Sequence, residues 1–341
     1  MKKIFFINFC IFLLLIIFIE AIFGYWFKED NFGIHMRKHR NQSENYEIKL
    51  NKQKYKFKYK RNFHGFRGEE VEDLSEIKYV FLGGSTGNER LLPEDLTIVG
   101  KINSNFKNNN FKKTRIYNAS VDGKSLRGHI NDFAFWFTKL KNFQPKYFII
   151  YVGINDTYLG KETKYDSTFG NKNYRKILDY ISNNSIIVEL TKKIKWNYSN
   201  SVQLKYEINN FNKIYNDSFE YINYQKAKKI HNINNLKNKY SYLSERYLKR
   251  LEDIYYKSKN LNSKLILITQ VKFNGLKNDK LFLVNEITKE FSKDKKINII
   301  KLDEQYIGTK NDFYDHVHTT EEGSNKISEI IYKELVKIIL S

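Results

Sequence analysis

From residue 77 onward, short apolar runs alternate with longer amphipathic stretches, and this alternation limits the chain to very few architectures. The runs at 77–82, 114–118, 146–152, 263–269 and 297–302 are continuously apolar, the pattern of strands buried on both faces. Between and after them lie helical patterns at 94–107, 127–142, 240–261, 280–293 and 320–340. Strands joined through helices form crossover units, which predicts an α/β fold with a mostly parallel central sheet in three α/β/α layers. Ligands of such folds bind beyond the carboxyl ends of the strands. Residues 160–239 break the pattern: they are rich in Asn, Lys and Tyr and carry no strong strand. They read as a mainly helical insertion, with helical pieces at 173–197 and 203–230, placed as a candidate lid.

Ahead of the alternation stands an apolar run from Ile4 to Phe27, broken by Asn8, Glu20 and Gly24 and preceded by Lys2 and Lys3. At ~1.5 Å per residue it spans a bilayer core of about 30 Å. Tyr25, Trp26 and Phe27 close it like an interfacial aromatic belt. Residues 1–27 are therefore expected to be a single-pass membrane anchor, since a cleavable signal would have a shorter apolar region and a small-residue cleavage site. Lys2 and Lys3 favour an inside N-terminus, whereas Lys28, Arg37, Lys38 and Arg40 crowd the opposite flank. Large following domains translocate largely regardless of such charges, and the expectation is that the domain after the anchor lies on the periplasmic or extracellular side. Residues 28–76 read as a basic connector, and 77–341 as the main domain. In the connector, the lysines of Lys54–Lys60 alternate with Tyr55, Phe57 and Tyr59, which predicts a lysine-protected edge strand.

Composition removes several function classes. The single cysteine, Cys10, excludes an internal disulfide and a cysteine-built zinc site. An apolar content of 41% supplies a core and excludes wholesale disorder. A net charge of +21 suggests nucleic acid at first sight. The Lys and Asn bias runs through the whole chain, however, and a membrane anchor disfavours that partner.

Four polar blocks follow predicted strands or precede a helix at one edge of the sheet. They are Gly83-Gly84-Ser85-Thr86-Gly87, Asn118 to Gly123, Gly153-Ile154-Asn155-Asp156, and Asp315-His316-Val317-His318. A serine hydroxyl becomes a nucleophile when a histidine oriented by a carboxylate removes its proton. Ser85 in a glycine turn, His318 as base and Asp315 three residues earlier supply that set. Thr319 and Glu322 have capping-box spacing, which places His318 just outside a helix N-terminus, where the dipole favours a neutral imidazole. The Ser85 amide, the Gly123 amide and the Asn155 side chain are candidate donors to a developing oxyanion. Asp315, His316 and His318 also carry metal-ligand chemistry, but no further ligand cluster accompanies them; His129 and His231 fall in helical patterns. Residues 83–90 lack the Gly-Lys-Ser/Thr of a phosphate-binding loop.

Together these blocks resemble those of the SGNH hydrolases, also called GDSL-type esterases and lipases. The resemblance covers roughly residues 77–335 outside the insertion. It implies a flavodoxin-like α/β/α fold, a triad of Ser85, His318 and Asp315, an oxyanion hole from Ser85, Gly123 and Asn155, and no metal or organic cofactor. The departure is Gly84, where the family often carries Asp. Gly-Gly-Ser-Thr, with the upstream segment Asn62–Gly68, is similar to a branch associated with surface polysaccharides. The resemblance thus implies a membrane-anchored esterase acting on an O-acyl group of a cell-surface glycan. The alternatives are an O-acyltransferase using the same acyl-enzyme, and a non-enzymatic glycan-binding protein on the same scaffold.

Overall fold

The computed structural model describes residues 2–27, 36, 39–50, 53–109, 111, 114–158, 180–181, 184–191, 194, 204–208 and 219–340. Its first element is helix α1, Lys2–Phe23, which is long and apolar enough to cross a membrane and has no buried residue. Strands β1 (Gln42–Leu50) and β2 (Gln53–Arg61) follow, then β3 (Tyr79–Gly83), α2 (Ser85–Asn88), α3 (Ile98–Asn108) and β4 (Ile116–Asn118). Next come α4 (Leu126–Phe135), β5 (Tyr147–Tyr151), β6 (Leu204–Ile208), α5 (Ser241–Asn260) and β7 (Lys264–Ile268). The chain continues through α6 (Asp279–Lys295), β8 (Asn298–Ile300) and α7 (Glu321–Leu340).

Five strands form the central sheet in the order β4-β3-β5-β7-β8, all parallel. All five expected strands are there, within two residues of the expected bounds. The period-two rule divides each strand between two cores. From β3, Val80 and Leu82 face a core that includes Phe133, Leu251 and Val284 of α4, α5 and α6. Tyr79 and Phe81 face the opposite core, with Ile102 of α3 and Ile331 of α7. The sheet is thus covered on both faces, giving three layers. Strand order reverses between β3 and β5, and this switch point opens a crevice at their carboxyl ends.

The segment expected as a connector is more ordered than its sequence suggests. β1 and β2 form an antiparallel hairpin, and β6 adds to β1 in parallel, pairing Tyr46–Leu50 with Leu204–Ile208. β2 occupies the sheet edge, with Lys54, Lys56 and Lys58 exposed and Tyr59 buried. Its aromatic face packs with Tyr46 and Ile48 against Leu91, Leu92 and Tyr314, so this small sheet is built onto the large one beside the turn that follows β3. β6 corrects the expectation of helix at 203–230, whose helical part among the described residues begins at Tyr224. Five residues can pair as a strand wherever an edge offers unused backbone groups, even without an apolar run. Most of 173–197 and of the candidate lid lies outside the described residues.

Candidate active site

The glycine turn after β3 carries the chain straight into α2, whose first residue is Ser85. As a first helical residue its amide has no intrahelical acceptor and is free to face a ligand. On the far side of the crevice, residues 313–319 close a tight hairpin through the Phe313–Thr319 bridge and the Tyr314 N to His318 O hydrogen bond of 3.0 Å. This hairpin brings His318 Nε2 to 2.7 Å from Ser85 Oγ, across 233 residues of sequence. His318 Nδ1 lies 2.6 Å from Asp315 Oδ2, while Asp315 Oδ1 accepts the amides of Val317 and His318 at 2.8 and 2.7 Å.

Burial pushes the Asp315 carboxyl up, but the hydrogen bond and charge of His318 and the two amides outweigh it. The net pKa lies below the ordinary 3.8. An ionised Asp315 can only accept, so Nδ1 carries the imidazole proton and Nε2 is left to accept from the serine hydroxyl. Both ring nitrogens are thereby engaged. Tyr314 stacks on the His318 ring at 5.6 Å between centroids, fixing the imidazole plane.

The expected capping box does not form. Thr320 caps α7, accepting from Gly323 N at 3.4 Å, while Glu322 pairs with Lys326 at 3.1 Å. The Thr319 hydroxyl is turned away from the helix end, donating to Glu89 at 2.7 Å and lying 2.9 Å from Ser324 Oγ.

The oxyanion candidates come from three separate turns. Gly123 has φ +77°, a left-handed conformation that favours glycine, and a Cβ there would meet open space, so the requirement is backbone geometry. Asn155 Nδ2 donates to the Lys124 carbonyl at 2.8 Å, which ties the third block to the second and leaves its other N–H directed elsewhere. A Cβ on Gly84 would overlap Asn155 Nδ2 and stand 2.9 Å from the Lys124 carbonyl oxygen. Gly84 therefore gives Asn155 room beside Ser85. Asn155→Ala and Gly84→Ala are both expected to lower kcat by about 10²–10³-fold, the usual effect of losing one oxyanion donor. Steady-state kinetics separate this from ground-state binding, which would raise KM at constant kcat.

Several residues that hold the site together were not singled out from sequence. Glu89, buried and in the left-handed region at φ 45°, accepts from Thr319, from Ser324 at 2.5 Å and from the Ile98 amide at 2.5 Å. It ties the serine turn to α3 and to the histidine hairpin; burial raises its pKa, against those donors. Gln270, after β7, donates to Thr86 Oγ1 at 3.1 Å and accepts from Ile154 N at 2.6 Å, joining the first and third blocks. Asp156 is buried, accepting from the Leu126 amide at 3.1 Å and pairing with Arg250 at 3.0 Å. Arg67 Nη2 donates to Leu92 O at 2.7 Å, Nη1 donates to Asn88 O, and Nε pairs with Glu94 at 2.5 Å. Asp156 and Arg67 stand in segments that the sequence marks, but none of these residues shows its role locally, since each partner lies on another segment.

Beside Gly123 the rim is polar. Asp122 accepts from Asn88 Nδ2 at 2.7 Å and faces Arg90 at 3.5 Å, with side chains 39% and 33% exposed. Arg90 is held from behind by Glu44 at 2.9 Å and Tyr46 at 2.8 Å, both from β1.

No family model and no curated protein matches the chain. Solved structures similar to it include TesA, at a TM-score of 0.44 and 10% identity, covering 76% of this chain and 97% of that one. A second is an acetyl-xylooligosaccharide esterase from Geobacillus, at 0.44 and 12%, covering 76% and 94%. A third is a member of the lipolytic protein G-D-S-L family from Veillonella parvula, at 0.41 and 12%, covering 75% and 97%. The likeness is one of fold.

Proposed function

We propose that this protein is a membrane-anchored serine esterase that cleaves a carboxylic ester through an acyl-enzyme, acting on an O-acyl group of a cell-surface glycan. The observation that carries the chemistry is the unbroken hydrogen-bond chain from Ser85 through His318 to Asp315 at the switch point of the sheet. Ser85 Oγ attacks the acyl carbonyl as His318 Nε2 takes its proton, and Asp315 stabilises the imidazolium. The carbonyl oxygen, now negative, is received by the amides of Ser85 and Gly123 and by Asn155. Collapse expels the sugar oxygen, which leaves with the proton from His318. Water then enters, loses a proton to His318 and releases the acid, restoring Ser85.

The glycan assignment is supported by the polar rim of Asp122 and Arg90 beside Gly123, which suits a hydroxylated leaving group better than an acyl chain. It is supported also by the resemblance of Asn62–Gly68 to the polysaccharide-associated branch. The anchor is supported by contacts at the end of α1: Tyr25 N donates to Asn184 O at 2.8 Å, and Glu20 is held by Ser185 at 2.5 Å. A helix that is cleaved away has no use for such contacts. The catalytic domain then faces the periplasmic or extracellular side.

The test uses the full chain in detergent with a fluorophosphonate probe. The wild type is expected to label and to release acetate from acetylated oligosaccharides, and Ser85→Ala is expected to do neither. A folded wild type that neither labels nor turns over esters overturns the proposal. Appearance of the acyl group on an added sugar instead of in solution would reassign the second step to transfer.

A further inference from the structure

The end of α1 is not alone. Part of the insertion packs against it: the Trp26 and Tyr180 rings meet edge to face at 5.9 Å, and Tyr25 is hydrogen-bonded to Asn184. Glu20, one turn before the end of the apolar helix, accepts from Trp26 Nε1 at 2.7 Å and Ser185 Oγ at 2.5 Å. It accepts also from the amides of Ile186 and Ile187 at 3.3 and 3.2 Å. A carboxyl at membrane depth persists only with such partners, and the same bonds hold residues 185–187 at the level of Glu20. Residues 186–191 are helical. Among them Ile187 and Leu190, three residues apart, share one helix face. Leu190 and Ile194 are 46% and 69% exposed, and Tyr180 and Ile181 beside them are exposed as well.

We propose that Tyr180, Ile181, residues 184–191 and Ile194 form a second membrane contact, lying in the bilayer interface beside α1 with the exposed apolar side chains against lipid. This rests on the reading of α1 as a membrane span. Glu20 lies three residues from the helix end, about 4.5 Å along its axis. A segment bonded to it therefore sits where headgroups give way to acyl chains, the depth at which amphipathic helices bury their apolar face. Continuity with α1 selects lipid as the occupant of this face.

The test uses full-chain Cys10→Ser protein carrying one new cysteine, labelled with an environment-sensitive fluorophore and reconstituted in phosphatidylcholine–phosphatidylglycerol vesicles. Leu190→Cys and Ile194→Cys report on the proposed contact, Phe12→Cys on the middle of α1, and Lys293→Cys on an exposed helix of the catalytic domain. In vesicles containing lipid brominated on the upper acyl chain, the labels at 190 and 194 are expected to lose most of their emission and to resist aqueous iodide. The label at 293 should do the opposite. The proposal is overturned if 190 and 194 behave like 293 while 12 remains shielded from iodide. If 12 is also open to iodide, the span itself fails, and the second contact fails with it.

Discussion

Replacing His318 with alanine is expected to lower kcat by about 10⁴-fold or more while leaving the fold intact. The imidazole bridges the two other members, at 2.7 Å to Ser85 Oγ and 2.6 Å to Asp315, so its loss leaves the serine hydroxyl without an acceptor for its proton, while Asp315 keeps the two backbone amides. Its ring is only partly buried, and its hairpin is closed by backbone contacts between Phe313 and Thr319 that alanine does not touch. The thermal midpoint should therefore move little. The Ser85→Ala/His318→Ala double variant should be no slower than the worse single one, because residues that act as one unit do not add. Activity remaining above that level would come from the donors of the oxyanion hole, which neither substitution alters. Single-turnover kinetics of the three variants measure this, and additive losses would show that serine and histidine act independently.

The second large effect concerns stability. Arg67→Met is expected to cost about 2–5 kcal/mol, because two buried carbonyl acceptors are each left without a partner at roughly 1–3 kcal/mol. The Arg67 side chain is 1% exposed and serves the carbonyls of Asn88 and Leu92 and the carboxylate of Glu94. Methionine fills much of the volume but strands the Asn88 and Leu92 carbonyls away from water, while Glu94, with its side chain 45% exposed, can turn to solvent. Because Asn88 ends the helix that begins with Ser85, the loss loosens the nucleophile turn as well as the fold. Lys60→Met is the matched comparison. Lys60 also pairs with a glutamate, Glu69 at 2.8 Å, but both side chains are exposed, and such pairs contribute about 0–1 kcal/mol. Chemical denaturation of the two variants separates these readings; equal losses would place Arg67 among ordinary surface charges.

Sequence discloses those parts of this molecule whose cause is local. The five central strands are legible because burial on both faces demands continuous apolar runs, and the site blocks because turns after strands require glycine and polar residues. Ser85, Gly123, Asn155, Asp315 and His318 all lie beside such turns. Other features depend on partners far along the chain. Tyr46, Ile48 and Leu50 of β1 alternate with Asn45, Glu47 and Lys49, but the hairpin becomes evident only where its aromatic face meets Leu91, Leu92 and Tyr314. β6 lacks an apolar run and is a strand because β1 offers it an edge. Glu89 and Arg67 look like surface charges in sequence and are buried because distant donors and acceptors satisfy them. Thr319 has the spacing of a cap, yet Glu89 takes its hydroxyl and Thr320 caps the helix instead.

The distance along the chain between Ser85 and His318 also has a meaning during synthesis. Ribosomes add about 5–20 residues per second, so the 233 residues between nucleophile and base take roughly 10–50 s to appear. Throughout that interval α1, long and apolar enough to cross a membrane, is already made, while Ser85 has no histidine to accept its proton. The hydrogen-bond chain from Ser85 to Asp315 is thus complete only at a single late moment, when the hairpin carrying His318 docks.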